Sequence, residues 1–136
     1  MDKKKLEILR DYFKTQKEIL CVYLFGSEAV NKENKFSDVD LGVFLDDSIR
    51  QIFFTQKKIS LIDEISRRLD KDVDIVVLNN SSSFLKFQVI KTGVRIYERA
   101  DRSEHNFEAW AIIEYLDYLP IRKRLEKALI DKMKEE

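Results

Sequence analysis

Three short segments rich in apolar residues, each with a glycine or an aspartate at one end, most constrain how this chain folds. They cover residues 21–25, 38–45 and 72–78, and their length is typical of buried β-strands. Before the first segment and between the second and third, apolar residues recur at helical spacing and predict helices over residues 3–20 and 50–69. The second of these helices carries Ile52, Ile59, Ile62, Ile65 and Leu69 at that spacing. The mixed order of elements predicts an α+β protein, a small mixed β-sheet with flanking helices.

The segment after the third strand predicts one more helix and one more strand. Ser81 to Ser83 can cap a helix that runs to about Lys91, and Gly93 stands where a helix-ending residue is expected. Residues 94–97 then predict a short fourth strand.

A helical tail follows from Ser103, and Pro120 is expected to kink or break it. Between Phe107 and Ile121 the apolar residues cover more than one helix face. Such a helix must bury several faces. Either it packs deep in its own domain, or it gives one face to a partner or to a second copy, as in a homodimer.

Composition excludes several classes of protein. The 136 residues make one domain, and 25 Lys+Arg against 25 Asp+Glu give no net charge, so direct nucleic-acid binding is not expected. With one Cys and one His, a metal site built from cysteine or histidine is not expected either. No run approaches the roughly 18 apolar residues of a membrane span, so we expect a cytoplasmic protein without a membrane partner.

The first chemical candidate is Gly26-Ser27, which directly follows an apolar strand. Glycine allows a sharp turn and a close approach by an anion, and a helix beginning at Ser27 would offer a phosphate site. The alternative is that Ser27 only caps that helix. On its own, a Gly-Ser pair favours this alternative.

The second candidate is the pair Asp38 and Asp40. Side chains alternate along a strand, so both carboxylates point to one side while Val39 and Leu41 point to the other. Two close carboxylates repel each other unless a cation neutralises them, and Mg²⁺ prefers such oxygen ligands. The alternative is a solvated strand end with two surface acids.

The third candidate is Asp74, which interrupts an otherwise apolar strand between Val73 and Ile75. Asp72 lies on the same side and is the alternative carboxylate. We prefer Asp74 because Asp72 follows Lys71 at the boundary of the strand.

Taken together, these residues resemble the nucleotidyltransferase superfamily with the polymerase-β type of catalytic core. The segments 24–29, 37–41, 73–79 and 92–97 are similar to the minimal nucleotidyltransferase (MNT) family, a family of small single-domain proteins. The resemblance covers about Val22 to Tyr97. It implies one nucleotidyltransferase domain over residues 1–136, with a catalytic core at about 20–98 and a helical segment at 103–135.

Members of that family are typically antitoxins paired with a HEPN-family toxin. The resemblance implies transfer of AMP from ATP to a tyrosine of the toxin, which silences it. Gly26 and Ser27 would hold the triphosphate, and Asp38, Asp40 and Asp74 would bind Mg²⁺, as two ions. Asp74 is placed to take the proton of the attacking hydroxyl and would be the general base.

One departure from the family pattern keeps other functions open. Many members continue Gly-Ser-x-Ala with Arg-Gly, where this chain has Val30-Asn31, so a positive charge near the phosphates is missing. One alternative is therefore an antitoxin of weak activity that acts by binding alone. Another is nucleotidyl transfer to a small hydroxylated acceptor, although such enzymes usually need a second domain to hold the acceptor.

Overall fold

The computed structural model describes residues 1–26, 38–99 and 104–135, with the side chains of the last range described from Phe107 onward. Four helices and four strands follow one another in this part of the chain. In chain order they are α1 (Lys3–Lys14), β1 (Ile19–Phe25), β2 (Val39–Leu45), α2 (Phe54–Leu69), β3 (Val73–Val77), α3 (Ser83–Thr92), β4 (Val94–Glu98) and α4 (Glu104–Lys134).

The strands form one mixed sheet in the order β3-β2-β1-β4. Strand β1 is antiparallel to both of its neighbours, whereas β2 and β3 run parallel. The connection between these two parallel strands contains α2, as a parallel crossover requires. The α+β architecture and the small mixed sheet predicted from the sequence are confirmed.

Helices α1 and α2 cover one face of the sheet. Strand alternation sends every second side chain of β2 into this larger core, where it meets the buried faces of the two helices. The β2 residues concerned are Val39, Leu41, Val43 and Leu45, all at most 1% exposed. The core on this face fixes β2 so that Asp40 points to the opposite side.

Helix α3 and the first turns of α4 pack on the other face, around a smaller core. Cys21 and Tyr23 of β1 contribute to it together with Val89 of α3. Phe107 of α4 stacks on Phe44 of β2 with ring centroids 3.9 Å apart. This second face also carries the aspartates of β2 and β3.

The first helix is shorter than the sequence predicts. The pattern predicts a helix over residues 3–20, but α1 ends at Lys14 and β1 already begins at Ile19. Asp2 caps the start of α1, since its side chain accepts a hydrogen bond from the Lys5 N–H at 2.8 Å. Ile19 and Leu20 are buried in the sheet, so their apolar character reflects strand burial and not the helix face.

The second helix begins at Phe54 and not at residue 50, and two of the apolar residues at helical spacing do not face the core. Ile52 and Ile59 are 69% and 60% exposed, because Ile52 lies in the short 3₁₀ turn before α2 and Ile59 lies on the outer face. The buried face of α2 is formed by Leu61, Ile65 and Leu69, which recur at steps of four.

The predicted ends of the third helix are confirmed. Ser82 is the N-cap of α3, and its hydroxyl accepts a hydrogen bond from the Leu85 N–H at 3.1 Å. Gly93 is the C-cap and has an extended backbone with φ −80°.

Of the predicted kink or break at Pro120, the structure excludes the break. Helix α4 runs without interruption over 31 residues with Pro120 inside it. Proline removes one helical hydrogen bond and crowds the preceding turn, which costs about 3 kcal/mol in a helix interior. Pro120 is exposed, so its ring lies at the surface of the helix.

None of the described helices contains a stretch long and apolar enough to cross a membrane.

Candidate active site

The candidate residues gather where β1 ends and β2 and β3 begin. Phe25, the last residue of β1, is the register partner of Asp40, and Gly26 follows it. Asp40 is in turn the register partner of Asp74 on the parallel strand β3. The topology therefore brings a glycine turn and two acidic strand positions to one edge of the sheet.

Asp40 and Asp74 lie on the same face of the sheet. Registered residues of adjacent strands point to the same side, and the flanking residues Val73 and Ile75 are buried on the opposite side. Asp74 is exposed and Asp40 is partly buried. The two carboxylates are thus direct neighbours across the strand pair.

The causes of the raised pKa of Asp40 show which charged groups lie near it. Burial raises the pKa of the Asp40 carboxyl above its ordinary value, and the negative charges of Asp74 and then Asp38 raise the pKa further. Asp38, directly before β2, is exposed and contributes to this negative cluster.

Asp72 lies in a different position from Asp74. It is exposed and precedes β3, and its backbone carbonyl accepts a hydrogen bond from the Val39 N–H at 2.9 Å. Its charge is not among the causes that raise the Asp40 pKa, whereas that of Asp74 is. The charge of Asp74 therefore acts on Asp40 more strongly than the charge of Asp72 does.

Gly26 packs directly on the Asp40 carboxylate. A Cβ at this position would lie 2.4 Å from Oδ2 of Asp40, and the backbone has φ +75°, a conformation that side chains disfavour. Gly26 and Asp40 are thus in direct contact, and a residue with a side chain does not fit at position 26. Ser27, Val30 and Asn31 lie outside the described residues.

Gly93 lies where α3 ends, next to the last residues of β1. A Cβ there would lie 2.5 Å from the Val89 carbonyl oxygen and 3.1 Å from the Leu24 carbonyl oxygen. The absence of a side chain lets the end of α3 approach the end of β1 that carries Gly26. The sequence indicates Gly93 only as a helix end, and no local pattern reveals this second contact.

The donor chemistry of the site fits a hard divalent cation. Three carboxylates supply oxygen ligands. Burial and, after it, the negative charges of Asp74 and Asp38 raise the pKa of Asp40, and a cation would neutralise that charge. In the present arrangement, however, no three acidic, histidine or cysteine side chains of the described residues converge closely enough to hold an ion. Oδ1 of Asp74 instead accepts a hydrogen bond from the Ile75 N–H at 3.0 Å.

A polar network on the same face was not predicted from the sequence. The buried Tyr23 donates its hydroxyl hydrogen bond to Glu108 of α4, and Nη1 of Arg95 on β4 donates to the same carboxylate at 2.8 Å. Burial raises the pKa of Tyr23, and the hydrogen bond to Glu108 raises it further, so the phenol stays protonated. This network fixes the start of α4 on the sheet. A tyrosine within an apolar run is the only local signal for it.

Sequence comparison identifies a family and a relative. The model of the family described as polymerase beta, nucleotidyltransferase matches residues 7–102. The protein adenylyltransferase MntA of Shewanella oneidensis is 29% identical over 96 residues, which make up 71% of this chain and 64% of that protein. The match thus spans less than two thirds of the relative's length.

Solved toxin–antitoxin structures contain chains of similar fold. One, from a toxin–antitoxin crystal structure with AMP-PNP, has a TM-score of 0.72 at 24% identity and covers 96% of this chain and 99% of its own. Another, from the complex of a tri-AMPylated Shewanella oneidensis HEPN toxin with its MNT antitoxin, has a TM-score of 0.73 at 21% identity with the same coverage. At these identities the likeness establishes the fold.

Proposed function

The chain belongs to the polymerase beta nucleotidyltransferase family, and from this membership we propose that it is a Mg²⁺-dependent protein adenylyltransferase. It transfers AMP from ATP to a tyrosine of a HEPN toxin in the cytoplasm and thereby neutralises the toxin. The observation that carries this proposal is the register pairing of Asp40 with Asp74, beside a glycine that packs on the Asp40 carboxylate. A cluster of carboxylates that repel one another is what binding of a metal–nucleotide complex requires.

ATP binds with its phosphates over Gly26 and Ser27. The positive φ of Gly26 supports this role, since it lets the chain bend sharply at the end of β1, next to Asp40. Ser27 would add a hydroxyl donor. The solved relative that holds AMP-PNP supports a nucleoside triphosphate as the substrate.

Asp38, Asp40 and Asp74 hold the magnesium, as two ions. When bound, Mg²⁺ neutralises charge on the phosphates and lowers the pKa of a coordinated hydroxyl. Asp74 is exposed, and its hydrogen bond to the backbone of Ile75 is local, so a side-chain rotation frees its carboxylate. Asp40 is held by the contact with Gly26 and supplies the fixed ligand.

The chemical step is an in-line substitution at the α-phosphorus. The tyrosine oxygen forms a new bond to this phosphorus while the bond to the bridging oxygen of pyrophosphate breaks, and pyrophosphate leaves. Asp74 takes the phenolic proton, because it is exposed and is the register partner of Asp40 on β3. The remaining work of the protein is to position the reactants and to neutralise charge.

The identity of the acceptor rests on the relatives. The relative with 29% identity is a protein adenylyltransferase, and one structural neighbour comes from a complex with a tri-AMPylated HEPN toxin. The proposal assigns the chemistry to residues of the core at 20–98 within a single domain.

A homodimer formed through the exposed surface of α4 is a separate proposal. Sedimentation velocity of the chain alone measures the oligomeric state.

Transfer is tested with α-labelled ATP and Mg²⁺, with and without the purified product of the neighbouring gene. Label on a tyrosine of that protein supports the proposal, and Asp40→Asn is the negative control. Tight binding of the partner without any label would identify an antitoxin that acts by binding alone. Label on a small hydroxylated compound and none on the partner would replace the proposed acceptor.

A further inference from the structure

Helix α4 contacts the domain from Phe107 to Arg122. Phe107 and Ala111 are buried against the sheet, and Tyr115 stacks on Phe87 of α3 with ring centroids 4.1 Å apart. Arg122 lies over the ring of Phe84, near the start of α3, with its guanidinium carbon 4.9 Å from the ring centroid. From residue 123 to residue 135 every described residue is exposed.

The face that packs on the domain continues beyond it as an apolar stripe. Ala111, Tyr115 and Arg122 recur at helical spacing, and the same spacing continues to Leu125, Leu129 and Met133. These last three side chains are 56%, 62% and 69% exposed. We call residues 122–135, with this stripe on the side of α3, the overhang.

The overhang continues a helix that is already formed where α4 packs on the domain, but helix propagation alone gains little free energy per residue. An exposed row of leucine and methionine side chains also costs free energy in water that burial recovers. Phe84, 42% exposed at the start of α3, extends the apolar surface under the overhang.

The charge of the overhang favours an acidic binding partner over a second copy of this chain. Residues 122–135 contain six basic and three acidic side chains, in a chain whose total charge is zero. Two overhangs packed together would place like charges side by side, which disfavours a second copy. An apolar helix face rimmed by carboxylates is complementary both to the stripe and to the basic side chains.

We propose that the overhang is the docking surface for the protein acceptor of the transfer reaction, and that the acceptor presents an apolar helix face with an acidic rim. This inference rests on the proposed function. Gly93, at one end of α3, contacts the end of β1 next to the acidic cluster, whereas Phe84 and the overhang lie at the other end. The ten residues of α3 separate the two places by about 15 Å, so docking leaves the site open.

Two glutamine variants test the docking surface. Leu125→Gln with Leu129→Gln removes two of the three apolar side chains of the stripe without loss of helix propensity. Ile130→Gln is the matched control, because Ile130 is 51% exposed and lies outside the stripe, about 100° round the helix from Leu129. The readouts are the Kd for the purified neighbouring gene product without ATP, and the KM and kcat for that acceptor with labelled ATP. Circular dichroism verifies that both variants keep the helix.

The expected result is that the double variant raises the Kd and the KM for the acceptor about tenfold or more at unchanged kcat, while Ile130→Gln leaves both constants unchanged. If the wild type binds the partner through the stripe but transfers no label, the proposed function fails and the docking surface stands. Wild-type affinity in the double variant overturns the docking surface, and so does a wild-type chain that does not bind the partner. A chain that dimerises through the stripe without any effect on acceptor affinity also overturns it.

Discussion

Asp40 and Asp74 face each other across the parallel strands β2 and β3, on the side of the sheet that α3 and α4 cover. Asp40 is partly buried and Asp74 is exposed, so the two carboxylates meet different environments although they are direct neighbours. The partly buried carboxylate is suited to hold a ligand in place. The exposed one is suited to exchange a proton with a substrate.

The proposed roles predict that Asp74→Asn lowers kcat about 100-fold or more, because the amide cannot take the proton of the tyrosine. Asp72→Asn is the matched control, since it removes the same charge two residues earlier on the same side, and it should keep activity close to the wild type. The measurement is single-turnover transfer of label from ATP. Loss of activity in Asp72→Asn with normal activity in Asp74→Asn would reverse the assignment.

Magnesium should stabilise the wild-type protein and not Asp40→Asn. A ligand present at about 100 times its Kd raises the free energy of unfolding by about 2.7 kcal/mol. Thermal unfolding with Mg²⁺ and with excess EDTA measures the difference in Tm for both proteins. An equal rise of Tm in Asp40→Asn would show that Mg²⁺ binds elsewhere.

The raised pKa of Asp40 predicts that this group lowers stability as the pH rises. Its folded-state pKa lies above its unfolded value, so the folded protein holds a proton that the unfolded chain has already lost. The stabilisation is complete below the ordinary pKa of aspartate and is lost as the pH rises through the raised value. Asp40→Asn should remove this part of the pH dependence and have the higher Tm at pH 7 without metal. An unchanged pH profile of Tm would contradict the prediction.

Gly26→Ala should destabilise the fold and abolish transfer. A Cβ would meet Oδ2 of Asp40, and the positive φ alone costs about 1–2 kcal/mol for a residue with a side chain. In an Asp40→Ala background the clash is absent, so the cost of Gly26→Ala in free energy of unfolding should be smaller. A double-mutant cycle by urea denaturation measures this coupling. Strictly additive costs would mean that the two residues do not touch.

Tyr23→Phe should loosen the start of α4. The substitution removes the hydrogen bond from Tyr23 to the partly exposed Glu108, which keeps its bond to Arg95, so the cost is about 0.5–1.5 kcal/mol, that of one hydrogen bond. Tyr12→Phe is the matched control, because Tyr12 is also buried and donates to a glutamate, Glu64, but on the opposite face of the sheet. Hydrogen exchange should increase in the first turns of α4 for Tyr23→Phe and not for Tyr12→Phe.

The local pattern of the sequence was sufficient to predict most elements and the side to which Asp40 and Asp74 point. Alternation along a strand depends only on adjacent residues, so the buried Val39 and Leu41 fix the direction of Asp40. Helix caps are equally local, and Ser82 and Gly93 occupy the cap positions expected of them. Ile59 is wrongly placed because helical spacing alone does not say which of two overlapping faces packs on the sheet.

The tertiary structure alone decided which strands are neighbours and how far each helix extends. Pairing of Asp40 with Asp74 depends on a parallel register between strands that are 34 residues apart, and no local pattern specifies such a register. The same holds for the close approach of Gly93 to Leu24 and for the continuity of α4 through Pro120. The sequence by itself thus determined the chemistry of the acidic side chains and the face each occupies, because these follow from nearest neighbours. Their meeting at one edge of the sheet was decided by long-range packing, whose free energy is shared among many distant residues.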